Sequence, residues 1–504
     1  MAKFKMKKLA LALGVVAGGM GLVPAAQAVN LATDGLGQSL IFPYYTTRAG
    51  WNTLFNITNT SDEVVAIKVR FHEGFNSRDV FDFNVILSPH DVWNGTLSNG
   101  VGDVPTFSTL DTTCTVPAIP SGGVSFNDVV NTNGLLAYTG TARDTTVVNL
   151  QTTDRMREGY VTVIMMGSSP PVGLAFGAVH TTARVPGNCA ALRNAFALQG
   201  TSIAQLRAAF PNYNLNPLKG AFSLVNAANG WNASGSATTL ANFYVPAVAG
   251  DNLITAQLPP SFVGGVYTDS FHEPELSSAN TAGEVLRATG GPVSTSTATG
   301  GADAVSFVLQ RSSVINQWAN RVASAATGGW SVASDWVVTF PTKRFYADTA
   351  THEWAGRATG RAGLPAGLSP FTNAFALTSG QSCDTVRFTF YDREEQTPAS
   401  SGNPVFSPAP TPQGDALCEE VNVLSFGATG TATNVLGSPL PTPAERRLAA
   451  NVPTPTSYEN GWMQLNFTNT ASWLPTVGFA VINRTDPVGT LNESYTVDNA
   501  YIRP

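Results

Sequence analysis

Beyond residue 28 this chain of 504 residues has only three lysines, Lys68, Lys219 and Lys343, against 21 arginines. No basic run exists there, and charged residues make up 12% of the whole. Without residues 1–28, Lys plus Arg falls from 28 to 24 while Asp plus Glu stays at 34, so the net charge is 24 − 34 = −10. That balance excludes nucleic acid and an anionic membrane face as natural partners.

Several catalytic signatures are also missing. There is no GxSxG elbow, no GxxxxGK[ST] phosphate loop and no CxxC pair. Three of the five histidines, His72, His272 and His352, are each followed by Glu. A zinc-protease helix needs HExxH, with the second His one turn on. None of the three has it, so each His-Glu pair reads as strand-end or turn polarity. Their convergence in space is the one arrangement that would revive a metal site. No apolar run after residue 28 reaches the roughly 20 residues of a membrane helix. The longest, 160–179, is broken by Ser168, Ser169, Pro170 and Pro171.

What is present points outward from the cytoplasm. Lys3, Lys5, Lys7 and Lys8 precede an apolar run to Val23 and an Ala26-Gln27-Ala28 small-x-small site, the pattern of a cleaved export signal over 1–28. The four cysteines, Cys114, Cys189, Cys383 and Cys418, then suggest two disulfides. Proximity favours Cys114 with Cys189 and Cys383 with Cys418. The second pairing conflicts with a simple hairpin of 386–391 and 421–426. Such a hairpin puts its two cysteines at opposite ends, about 20 Å apart at roughly 3.3 Å per residue. We favour the bridge over the hairpin.

Period-two alternation dominates the chain. Thr53–Thr58, Val65–Phe71 and Phe81–Leu87 predict a three-stranded meander, with Val69 and Phe71 inward and Arg70 and His72 towards water. Tyr160–Met166 is nearly all apolar and predicts a central strand. Further strands are expected at 221–225, 240–245, 336–340, 386–391, 421–426, 462–467 and 477–482. Helical spacing is confined to 188–199, 201–210 and 312–323; the first two read as an inserted hairpin. Pro-rich or Gly-rich stretches at 277–302, 396–416 and 439–455 read as long loops. The expected fold is mainly β, an antiparallel Ig-like β-sandwich with a small helical hairpin. The expected units are residues 29–290 and 303–504, or one interlocked body.

Candidate sites are few. Asp392, Glu394 and Glu395 are Ca²⁺ candidates by their oxygen ligands. With Glu419 and Glu420 they also offer the paired carboxylates of a hydrolase. Trp51, Trp93, Trp231 and Trp473 are candidates for a sugar platform. The extended segment holding Ser39, Leu40, Ile41, Phe42, Tyr44 and Tyr45 is the candidate strand for self-association. No cofactor is called for beyond Ca²⁺.

The blocks HDVW (90–93), DWVVTFPTKRFYAD (335–348), YDREE (391–395) and EVNVLSFG (420–427) resemble a family of exported β-rich surface or secreted proteins of Gram-negative bacteria with no assigned activity. The resemblance implies an extracytoplasmic surface or matrix role and carries over no catalytic residue. The expected function is a structural protein of a matrix, surface layer or filament, with other copies or surface polysaccharide as partners. The alternatives are a carbohydrate-binding adhesin and an exported hydrolase.

Overall fold

The computed structural model describes residues 28–77, 79–126, 153–257, 262–263, 266–267, 274–286, 292–295, 300–321, 329–348, 369–376, 381–392, 415–426, 434–438, 460–467, 473–489 and 491–502. The first half holds β1 (Asn30–Leu31), β2 (Ser39–Thr46), β3 (Asn52–Asn59), β4 (Val64–Glu73), β5 (Asp79–Leu87), β6 (Val92–Asn99) and β7 (Pro105–Ser108). It continues with β8 (Cys114–Val116), β9 (Val124–Ser125), β10 (Glu158–Ser169), helices α1 (Cys189–Phe196) and α2 (Ile203–Ala209), β11 (Leu218–Asn226), β12 (Trp231–Ser236) and β13 (Thr238–Ala241). These strands form a seven-stranded sheet, β1-β13-β2-β10-β4-β5-β8, and a six-stranded sheet, β12-β11-β3-β6-β7-β9. All their pairings are antiparallel, including β4 with β5 and with β10.

The two sheets pack face to face as a sandwich. Phe55 of β3 meets Phe42 of β2 and Phe71 of β4 edge-on, each at 5.4 Å between ring centroids. Phe107 stacks on Trp93 at 5.8 Å, and both are fully buried. The expected meander is therefore corrected. β3 and β4 follow one another in sequence but lie in opposite sheets, so only β4 and β5 form a hairpin. Both alternate, and alternation marks a core face without saying which sheet supplies it.

The second half begins with two small hairpins, β14 (Phe262–Val263) with β15 (Val266–Tyr267) and β16 (Gly283–Leu286) with β17 (Pro292–Thr295), then α3 (Gly301–Leu309). Next come β18 (Gln310–Arg311), β19 (Ser313–Arg321), β20 (Ser331–Thr339), the short α4 (Arg344–Ala347), β21 (Asp384–Asp392), β22 (Asp415–Leu417) and β23 (Val421–Ser425). The chain closes with β24 (Asn460–Phe467), β25 (Leu474–Pro475), β26 (Val477–Thr485), β27 (Asn492–Asp498) and β28 (Ala500–Ile502). The main sheet runs β22-β21-β24-β19-β20-β26-β27, with β23 also on β20 and β28 also on β19. Residues 312–323, expected as helix, contain the strand β19. Val314 and Trp318 do share one face, but Asn316 between them is buried too, and its amide donates to Val497 and Asn499. Tertiary pairing on both edges overrides the helical spacing.

The disulfides are Cys114–Cys189, with Cα atoms 5.3 Å apart, and Cys383–Cys418. The first ties α1 to β8. The second exists because β21 and β23 do not pair: β21 pairs β22 and β24, while β23 pairs β20. The helical hairpin is present, with Asn188 and Ser202 as N-caps. Strand 240–245 is shorter than expected, ending at Ala241.

The halves share one core. A single cluster of buried side chains runs from Val29 and Leu40 through Phe222 to Phe479 and Val481. Phe222 meets Phe479 at 5.2 Å, and Trp51 Nε1 donates to the Val435 carbonyl at 2.8 Å. The segment expected to be donated between copies is thus internal. Ser39, Leu40, Ile41, Phe42, Tyr44 and Tyr45 are all 0% exposed, and β2 pairs β10 on one side and β13 on the other. Pro43, which has no N–H to give, sits where the β2–β10 register slips, and its carbonyl takes the Thr339 hydroxyl at 2.7 Å.

Gly159, the second residue of β10, sits where a Cβ would lie 1.9 Å from the His72 carbonyl and 2.7 Å from the Tyr45 ring. Backbone approach, not turn chemistry, requires glycine there. Gly159→Ala is expected to destabilise the fold by about 1–3 kcal/mol, the cost of overpacking. Urea unfolding measures it, and an unchanged midpoint would contradict the packing argument.

Candidate functional site

The strand that reads VRFHEG does not face water. All ten residues of β4 are buried, because β4 is central in its sheet and residues from the second half cover its other face. Arg70 and His72, expected outside, are 1% and 0% exposed. The register slips between Phe71 and His72, which sets His72 opposite Asp79, the first residue of β5. Arg70 NH1 reaches Asp79 Oδ2 at 2.8 Å and Glu275 Oε1 at 3.3 Å. From the second half, Arg344 of α4 brings NH2 to Glu275 Oε2 at 2.9 Å and NH1 to 3.7 Å from Asp79 Oδ1. Two guanidinium groups and two carboxylates thus alternate in a closed arrangement that spans the two halves.

His72 is inside it. Its Nδ1 lies 2.7 Å from Asp79 Oδ1 and 2.8 Å from Arg344 NH1, its Nε2 lies 3.0 Å from Thr162 Oγ1, and its ring stacks on Tyr160 at 4.7 Å. One nitrogen cannot donate to Asp79 and accept from Arg344 together, so the neutral ring serves one of them at a time. Burial first, and then the Arg344 charge, lowers its pKa from 6.5 to about 4. The ring is neutral at pH 7.

A second layer adjoins the first. Arg155 NH2 lies 2.6 Å from Glu73 Oε1, and the same carboxylate accepts the amides of Phe75 at 2.9 Å and Asn76 at 3.1 Å. The chain at Glu420 and Val421 returns to this turn, donating its amides to the carbonyls of Phe75 at 3.2 Å and Gly74 at 2.8 Å. Lys343 Nζ lies 3.3 Å from Asp384 Oδ2, and both side chains are out of water. The named cations, Arg70, Arg155, Lys343 and Arg344, are matched by the carboxylates of Glu73, Asp79, Glu275 and Asp384. Charges without water need such matching, since a lone buried ion costs several kcal/mol.

Glu420 stands outside that balance. It is 0% exposed, and the Ser77 hydroxyl is within hydrogen-bonding reach of it. Burial raises its pKa to about 8; nearby Lys343, Arg344 and Ser77 favour the ionised form without reversing that. At pH 7 it is a neutral carboxylic acid with a proton to offer.

The other candidates separate from this cluster. His272, Glu273, His352, Glu353, Glu394 and Glu395 lie outside the described residues, so convergence with His72 and the Ca²⁺ reading both depend on residues not described. Asp392 ends β21 opposite Gly461. Among the described residues no group of three His, Cys, Asp or Glu forms a metal set. The four tryptophans do not form a platform. Trp51 and Trp93 are fully buried, Trp231 stacks on Trp51 at 5.9 Å, and Trp473 is exposed. Trp231 instead lines a cleft of about 240 Å³ with Asn320, Arg321, Asn434 and Asn483. A larger cleft of about 510 Å³ lies beside β1 and β13.

Asp79, Glu275, Arg155 and Arg344 were not singled out by sequence. A usable signal existed for Arg344: it sits in the PTKRFY stretch of a chain poor in charge, flanked by aromatics.

His72 makes stability depend on pH. Its folded value lies below its unfolded one, so the unfolded chain binds more protons between about pH 4 and 6.5. The contribution is complete above pH 6.5 and is lost as pH falls towards 4, a swing of up to about 3 kcal/mol. Glu420, with its folded value raised from 4.5 to about 8, contributes the opposite slope over that range, so His72→Gln is expected to make the unfolding free energy fall more steeply with rising pH between about 4.5 and 6.5 than it does in the wild-type protein. Arg344→Met, which strands Asp79 and Glu275, is expected to cost about 3–5 kcal/mol at pH 7. A loss under 1 kcal/mol in denaturant titrations would mean that the pairing does not hold the seam.

Comparison with protein-family models, with curated proteins and with solved structures finds no match to this chain in any of the three.

Proposed function

We propose that this chain is a secreted or cell-surface structural protein, built for persistence outside the cytoplasm. One observation carries the reading. The groups that chemistry would recruit, His72, Asp79, Glu275, Arg344 and Glu420, are all at most 2% exposed and sit within the seam that joins the two halves. Neither surface cleft is lined by any of them. A network closed to substrate serves cohesion. The two disulfides suggest an oxidising, extracytoplasmic environment, and the sequence of residues 1–28 supports export.

Association of copies, in this reading, does not use Ser39–Tyr45. The outermost described strands β1, β8, β9 and β22 are two or three residues long, which limits templating by sheet edges. The longer β12 and β27 face each other: Asn492 donates to the Asn229 carbonyl at 2.7 Å, and Thr496 donates to Ser234 O. Copies would meet through side-chain surfaces instead.

Cell fractionation with electron microscopy tests the role. The protein is expected in the medium or at the cell surface, with all four cysteines oxidised. Recovery from the cytoplasm with free thiols would overturn it.

The second reading, carbohydrate binding, draws on the Trp231 cleft. An indole beside Asn320, Asn434 and Asn483 offers a ring face for sugar C–H groups and amides for hydroxyls. A glycan array is expected to show a ligand whose signal falls at least tenfold in Trp231→Ala. Silence of the wild-type protein across the array would remove this reading.

A further inference from the structure

Two of the three lysines beyond residue 28, Lys68 and Lys343, are 1% and 0% exposed, and each faces an aspartate. In a chain that uses arginine 21 times, buried lysine needs a reason. A guanidinium pairs a carboxylate at two points and never loses its charge. An ammonium in a dry site can lose a proton and become a nucleophile.

The surroundings of Lys343 are specific. Nζ lies 3.3 Å from Asp384 Oδ2, which sets the amine directly beside the carboxyl group it would attack. It also contacts the carbonyls of Ser382 and Leu417. The rings of Phe340 and Phe371 lie 5.4 and 5.6 Å from Nζ and wall it from water. The other oxygen of Asp384 is pinned by the Thr372 amide at 2.9 Å and hydroxyl at 2.8 Å, which fixes the plane of the carboxyl. Glu420, fully buried, is close enough for the Lys343 charge to act on its carboxyl group.

We propose that Lys343 and Asp384 join spontaneously as an intramolecular isopeptide bond, with Glu420 as the acid that promotes it. In the buried pair, a proton moves from the Lys343 ammonium to the Asp384 carboxylate, leaving a neutral amine and a neutral acid. The amine lone pair attacks Cγ of Asp384 while the Glu420 proton is shared with the carbonyl oxygen. The C–N bond forms, one Cγ–O bond breaks, and that oxygen leaves as water with the acid proton and one amine proton. Glu420 relays these protons and ends as it began. One amide and one water are produced, and nothing is oxidised or reduced. The held proton of Glu420, whose pKa burial raises to about 8, is the group an ionised carboxylate could not supply.

Lys68 is the internal contrast. Its Nζ lies 2.5 Å from Asp82 Oδ1, but its other partner is the Gln257 amide oxygen at 2.6 Å, which has no acidic proton to lend. It stays an ion pair. The bond at Lys343 would tie the turn after β20 to the first residue of β21, next to the Cys383–Cys418 bridge. This inference rests on the cluster and not on the structural role proposed above. Either can fail alone.

Mass spectrometry of the exported, thiol-reduced chain tests it. The intact mass is expected to fall short of the sequence mass by one water, not two. Proteolysis should release a branched peptide joining Lys343 to Asp384. Lys343→Arg and Glu420→Gln should each have the full mass and give linear peptides, with unfolding curves confirming that they fold. Linear peptides holding free Lys343 and Asp384 in the wild-type protein would overturn the bond. A branched peptide persisting in Glu420→Gln would overturn the role of Glu420. If either variant fails to fold, the wild-type peptide alone decides the bond.

Discussion

Charge that has left water must be met by opposite charge, and much of this structure follows from that requirement. Arg70, Asp79, Glu275 and Arg344 are each at most 2% exposed. None is tolerable there alone. Arg70 and Asp79 come from the first sandwich, Arg344 from α4, and Glu275 from the segment between β15 and β16. Closing the halves completes the set, and parting them would leave an unmatched remainder in an apolar wall. Such networks add less to net stability than a well-packed apolar core would. Their stronger effect is on register, because only one docking of the halves satisfies every member.

The same enclosure produces the unusual protonation states. His72 is neutral because burial and Arg344 oppose its charge, and Glu420 is neutral because burial outweighs its cationic neighbours. In a cleft, shifted groups of this kind mark catalysis. Here they are buried in the seam, and neither of the two clefts is lined by them. This separates the cluster from the Trp231 cleft, which is open and aromatic but lined by no carboxylate.

Two of the four sequence blocks set apart as a resemblance meet around this seam. DWVVTFPTKRFYAD supplies β20, Lys343 and Arg344. EVNVLSFG supplies Glu420 and β23, which pairs with β20. That explains why polar residues sit inside strongly apolar strings there. It does not extend to YDREE, where only Tyr391 and Asp392 are described, or to HDVW, whose Trp93 packs in the first sandwich.

Local pattern alone determined the antiparallel β character, most strand positions and the helical hairpin; proximity in sequence favoured the disulfide pairing, and the structure decided it. Period-two alternation, turn residues, caps and chain spacing are properties of neighbours in sequence. Alternation reports that a strand has two faces, and VRFHEG shows its limit, for it cannot say what covers the second. Only the tertiary structure decided that β3 and β4 part into opposite sheets, that Ser39–Tyr45 is interior, that 312–323 contains a strand and that Arg70 and His72 are buried. Each depends on partners far along the chain, Arg344 for His72 and Thr339 for Pro43. Long-range pairing is what turns a polar face towards a second layer of protein instead of water.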